Sequence, residues 1–157
     1  MDPKSLAPVV PRGTVADMLA AKGTAVHAIA PGDTVYEAIR RMTELRVGAL
    51  VVMDGQKLVG IVSERDYTRK VMLQGRASPG TRVEEIMSTP VITVTPQLTL
   101  RECMALTAQH QIRHLPVVDN DAVIGVLSIN DLVRTIVAQQ AETIDSLNSY
   151  IAGAYPA

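Results

Sequence analysis

The chain has no tryptophan, no phenylalanine, four tyrosines and one cysteine in 157 residues. Tyr36, Tyr67, Tyr150 and Tyr155 are scattered and not interleaved with basic residues, so no platform for stacking nucleobases is present. Excess charge of one sign is also missing, since 15 Lys and Arg against 16 Asp and Glu leave a net charge of -1. The broad positive field that draws proteins onto a phosphate backbone is therefore absent, and nucleic acid is not an expected partner. Long apolar runs are missing too. Ala49 to Met53 and Leu115 to Val118 fall far short of the about 20 residues that span a bilayer, so no membrane partner is expected. Cys103 has no disulfide partner in the chain, which suits a reducing compartment. Met1 to Pro8 lack the charged and then apolar pattern of a secretory signal, and a cytoplasmic location is the expectation.

Catalytic constellations are equally scarce. Cys103 and His110 share a helix face, but a spacing of seven residues sets them about 10 Å apart along the axis, too far for a thiolate and its base. His110 and His114 have no third ligand nearby and His27 stands alone in a strand, so neither an enzyme nor a metal site is expected.

What the chain does have is a copy of itself. Laying Thr24 to Val71 over Thr89 to Ile136, a shift of 65 residues, aligns the two stretches without a gap. Pro31 falls on Pro96, Thr34 on Thr99, Glu37 on Glu102, Asp54 on Asp119, Gly60 on Gly125, Ser63 on Ser128 and Asp66 on Asp131. Each copy reads as a short strand (Val26 to Ala30; Val91 to Thr95), then a helix opened by Thr34 or Thr99 with a capping-box glutamate three residues on. A strand hairpin follows, Ala49 to Met53 with Leu58 to Val62 and Leu115 to Val118 with Val123 to Leu127, turning at Asp54-Gly55-Gln56 and Asp119-Asn120-Asp121. Ser63 to Asp66 and Ser128 to Asp131 open the last helix of each copy with another capping-box pattern.

The expected fold class is α+β, two βαββα repeats packed sheet to sheet with pseudo-twofold symmetry, because a half of about 60 residues cannot cover its own sheet. The boundaries read as an N-terminal arm at 1–13, a first repeat at 14–74, a linker at 75–81, a second repeat at 82–139 and a C-terminal helical extension at 140–157. In that extension Leu132, Ile136, Val137, Ile144, Leu147 and Ile151 recur at helical spacing with no Pro or Gly until Gly153, which predicts one long helix. Ile144, Leu147, Tyr150 and Ile151 form an outer apolar stripe, and the cover expected for it is a second protomer, so a homodimer is predicted. Residues 1–13 folding back over the stripe are the alternative cover.

Gly60 to Asp66, recurring as Gly125 to Asp131, resembles the end of a CBS domain, and Arg113 to Asp119 resembles the middle strand of one. The resemblance runs from about Thr14 to about Gln139 and implies a tandem CBS-domain pair, a Bateman module of the stand-alone bacterial type. Such pairs imply a regulatory or sensor role in signal transduction, with an adenine nucleotide held in clefts between the repeats. AMP is the ligand expected first, with ADP, ATP, NAD(H) or S-adenosylmethionine as alternatives, and a separate regulated protein is the implied partner. By resemblance Asp66 with Ser63, and Asp131 with Ser128, would hold the ribose and lie near the phosphate. A carboxylate can accept two neighbouring hydroxyls while a helix start offers backbone donors.

Gly48-Ala49 in the first copy aligns with Arg113-His114 in the second, and this cationic pair would contact phosphate, with Arg65 as a weaker candidate. The purine would rest on aliphatic side chains, with Ile29, Ala49, Ile61, Val94 and Val126 as candidates. The competing reading is a dimeric scaffold or docking protein that requires no ligand.

Overall fold

The computed structural model describes residues 10–154. Most of the expected N-terminal arm, residues 1–9, and the end of the chain from Tyr155 lie outside the described residues. Helix α1 (Val15–Lys22) comes first, then β1 (Ala28–Ile29), α2 (Val35–Leu45), β2 (Ala49–Asp54), β3 (Lys57–Ser63) and α3 (Glu64–Tyr67), which continues as a π-helical turn over Thr68–Met72. Short 3-10 turns at Ser78–Gly80 and Val83–Glu85 precede α4 (Leu100–His110), β4 (His114–Asp119), β5 (Ala122–Ser128) and α5 (Ile129–Ala154).

The duplication survives at the level of single hydrogen bonds. Hairpins β2–β3 and β4–β5 pair antiparallel in the same register, Leu50 with Val62 and Leu115 with Leu127, and both shift register one residue short of their turns, after Val52 and after Val117. Asn120 and Asp121 both take positive φ, 48° and 62°, as a two-residue hairpin loop of mirror type requires, while in the first hairpin Gly55 supplies it at 61°. Thr34 and Thr99 both accept from the amide three residues on. Only the Thr99 box is reciprocal, because Glu37 is drawn instead to Arg40.

The first strand of each copy is shorter than the alternation predicts. Val26 to Ala30 reduces to Ala28–Ile29, parallel to β2, and Val91 to Thr95 reduces to one bridge from Val94 to Val117. His27 and Val91 are only half-buried, so neither edge of that pattern is held by a core.

The two cores exchange segments. Val15, Met18 and Leu19 of α1, which opens the first repeat ahead of its first strand, are buried with Leu100, Cys103, Leu115 and Leu127 of the second. Val83 and Ile86, which open the second repeat, are buried with Val35, Met42, Leu50 and Val62 of the first, with Met87 packed against them. The backbone repeats the exchange. Val15 N donates to Leu98 O (2.9 Å) as Val83 N donates to Asp33 O (2.9 Å), and Ala16 N to Pro96 O (2.9 Å) as Glu84 N to Pro31 O (3.0 Å). Gly60 and Gly125 make room for it, since a Cβ on Gly60 would lie 2.9 Å from Met87 Cγ and one on Gly125 2.6 Å from Leu19 Cδ2.

Candidate functional site

Ser63 and Ser128 end β3 and β5, and each begins a helix. Ser63 Oγ accepts from Asp66 N (3.2 Å) while Asp66 Oδ2 accepts from Ser63 N (2.9 Å). Ser128 and Asp131 repeat this at 3.2 and 2.8 Å. Both pairs are thus complete capping boxes, which satisfy free helix donors whether or not a ligand is present.

Beyond the boxes the two aspartates differ. Asp66 has both oxygens engaged, Oδ2 by Ser63 and Oδ1 by Lys70 Nζ (3.1 Å) and Ser88 Oγ (3.3 Å). On Asp131 every bond converges on Oδ2, from Ser128 and from Lys22 Nζ at 2.6 Å, and Oδ1 has no partner among the described residues. Burial by itself would raise the Asp131 carboxyl, but the bonds from Lys22 and from the amide and hydroxyl of Ser128 outweigh it and hold the carboxyl below its ordinary value of 3.8.

Lys22 is a site residue that the repeat alignment leaves out. It also donates to Val126 O (2.6 Å), the strand that leads into Ser128. The sequence does carry a signal for it. Val15, Met18 and Leu19 align with Val83, Ile86 and Met87 at a shift of 68, whereas Thr24 onward aligns at 65, so Ala20-Ala21-Lys22 is a three-residue insertion unique to the first arm. That insertion adds the last turn of α1 and carries the ammonium to Asp131.

His114 begins β4 where the halves meet. A Cβ placed on Gly48 would lie 3.3 Å from its Nε2 and 3.9 Å from Glu64 Oε2, so a larger residue at 48 would make the imidazole shift by a few tenths of an ångström. Burial, and then the charges of Lys22, Arg113 and Arg65, push the His114 pKa below its ordinary 6.5, with Asp131 opposing them. The imidazole therefore stays neutral to lower pH than a free one.

Arg113 is exposed. Arg65 is half-buried and donates from Nη1 to Gln111 O (3.0 Å), tying the first repeat to the turn before β4. The structure therefore gathers Arg65, Arg113, His114, Asp131 and Ser128 with Lys22, while Ser63 and Asp66 belong to the other copy's helix start.

Of the purine candidates, Ile29 and Val94 are core residues at 2% and 3% exposure and are unavailable to a ligand, whereas Ala49, Ile61 and Val126 are half-buried. Cys103 is fully buried and its thiol is pushed up to about 11, chiefly by burial, which makes it a poor nucleophile. His110 on the same helix is exposed.

Among the described residues no helix is long and apolar enough to cross a membrane. The sequence matches the CBS domain over residues 14–73 and 83–138. It is 41% identical over 151 residues to the mitochondrial CBS domain-containing protein CBSX3 of Arabidopsis thaliana, covering 90% of this chain and 73% of that one. A CBS-domain protein of Burkholderia ambifaria MC40-6, whose name places it in signal transduction, is 49% identical, with a TM-score of 0.79 over 82% of this chain and 96% of its own. The CBS domain pair of protein MJ0100, solved with 5'-methylthioadenosine and S-adenosyl-L-methionine, shares the fold at 24% identity and a TM-score of 0.73, over 82% and 99% of the two chains. Two matched copies that trade their opening segments make this chain a member of the CBS domain family, built as a tandem pair.

Proposed function

We propose that this pair is a regulatory module that binds one adenine nucleotide per chain at the Asp131 site, AMP first among AMP, ADP, ATP, NAD(H) and S-adenosylmethionine. The observation that carries the reading is the gathering of Lys22, Arg65 and Arg113 around a half-buried His114, beside a carboxylate with one free oxygen. Lys22, Arg113 and Arg65 all act against a proton on His114, and the anion of a nucleotide phosphate would offset their charge. Asp131 Oδ1, which has no partner among the described residues, would accept ribose hydroxyls while Oδ2 is held. Asp66 offers no such oxygen, so its role is to cap α3 with Ser63 and to hold Ser88 and Lys70.

The adenosine ligands of the MJ0100 pair, carried over here as part of the proposal, suit the same chemistry. No catalysis is assigned to the site; occupancy changes how Arg65 and His114 hold the two halves, and a separate protein reads that change. The module acts as a homodimer.

Calorimetry tests the reading with AMP, ADP, ATP, NAD, S-adenosylmethionine and adenosine. One ligand per chain is expected. Asp131→Asn should weaken every ligand at least about tenfold, and Lys22→Met should weaken the phosphorylated ones while sparing adenosine. Asp66→Asn should leave affinity unchanged. Absence of binding at millimolar concentration, or an Asp131→Asn protein that binds like wild type, would reject the site.

A further inference from the structure

Asp66 and Asp131 hold the same place in the two copies, yet their outer oxygens meet different neighbours. Asp66 Oδ1 accepts from Lys70 Nζ (3.1 Å), four residues further along, and from Ser88 Oγ (3.3 Å) in the opening segment of the second repeat. Lys70 Nζ also donates to Ile86 O (2.7 Å), two residues before Ser88. One ammonium thus ties the end of the first repeat to the segment that passes beside it. It does so on the oxygen that Asp131 leaves without a partner among the described residues.

The second copy has neither donor. At the shift of 65 Lys70 falls on Thr135, and at the shift of 68 that relates the opening segments Ser88 falls on Ala20. Alanine has no side-chain donor, and among the described residues Asp131 is bonded by Ser128 and Lys22 and not by Thr135. Lys22 does not replace Lys70, because it comes from α1 and engages Oδ2, the oxygen that the capping box already holds. Charge makes the difference decisive. A hydrogen bond from an ammonium to a carboxylate is roughly twice as strong as one between neutral groups. A ribose has only neutral hydroxyls to offer Asp66, and to reach Oδ1 it would have to draw Lys70 away from the Ile86 carbonyl as well.

We propose that Lys70 and Ser88 close the first aspartate site from within, the ammonium standing on the oxygen a ribose would need, so that these two residues decide which copy binds. The inference rests on the nucleotide reading of Asp131. Exchanging the two residue pairs between the copies tests it. Lys70→Thr with Ser88→Ala gives the first copy the second copy's residues, and calorimetry with AMP and with adenosine should then find two ligands per chain in place of one. Adding Asp66→Asn should remove the second ligand again. Thr135→Lys with Ala20→Ser makes the reverse change and should weaken binding at Asp131 at least about tenfold, whatever the first variant does to folding. Circular dichroism checks that each variant is folded. A folded Lys70→Thr, Ser88→Ala protein that still binds one ligand overturns the proposal and leaves the Asp131 reading standing, as does a reverse variant that binds like wild type. A wild type that binds nothing rejects the Asp131 reading instead. In that case one ligand gained by the first variant upholds the closure, and no gain overturns it.

Discussion

His114 stands against Gly48 where the two halves meet, and its proton chemistry follows from that position. Burial is the largest influence on it, and the charges of Lys22, Arg113 and Arg65 act in the same direction. An unfolded chain takes up this proton as pH falls through 6.5, while the folded chain refuses it until lower pH. Stability is therefore complete above 6.5 and declines as pH drops below it. Asp131 follows the other carboxyl pattern, full stability above 3.8 and loss as pH falls through its lowered folded value, so the two windows are separate. Melting temperature measured from about pH 7.5 to about pH 5 should fall, and His114→Gln should flatten that fall. An equal fall in the variant would place the responsible proton elsewhere. Under the proposed function a phosphate beside His114 would favour its protonated form, so nucleotide affinity should rise as pH falls through the acid window.

At the scale of elements, the features that were legible in the sequence are those written in local pattern. Thr34, Thr99, Ser63 and Ser128 each precede an amide that they cap, and the Gly55 and Asn120-Asp121 turns state their own backbone needs. The first strands were overread because alternation of Val26 to Ala30 cannot reveal that only two of its residues find a partner strand. The exchanged arms were not legible in the repeat at all, since a core residue such as Val15 has the same apolar character whichever core it joins. Gly60 and Gly125 do record the exchange. A methyl at 60 meets Met87 at Sδ, Cγ and Cβ (2.5, 2.9 and 3.2 Å), so turning the thioether away does not clear the atoms nearer the backbone, while at 125 it meets chiefly the movable Leu19 Cδ2 (2.6 Å). Gly60→Ala should accordingly cost about 1–3 kcal/mol in urea unfolding and Gly125→Ala less, because overpacking is relieved where the neighbour can rotate away. Equal costs would show that the arm contacts do not set the difference. At the site, Arg113, His114 and Asp131 were readable from the resemblance. Lys22 was not, because it lies in the three residues that break the alignment.

For the whole molecule, interleaved cores mean that neither repeat has a complete interior of its own. Val83 and Ile86 are as buried in the first core as Val15 is in the second, at 0%, 1% and 0% exposure. Thermal unfolding should therefore be one cooperative transition with calorimetric and van't Hoff enthalpies equal. Two resolved transitions would show that the repeats unfold independently.

The same interleaving sets an order of events during synthesis. Helix α1 is made well before its carbonyl partners at Pro96 and Leu98 and its core neighbours Leu115 and Leu127. Val15, Met18 and Leu19 thus wait without cover while about a hundred residues are added, at roughly 5–20 residues per second. The first core, by contrast, closes as soon as Val83 and Ile86 arrive. Nascent chains that expose residues up to and beyond Leu127 should differ in protease sensitivity at α1 but not at β2 and β3, so that α1 is sheltered after the strands that follow it in sequence.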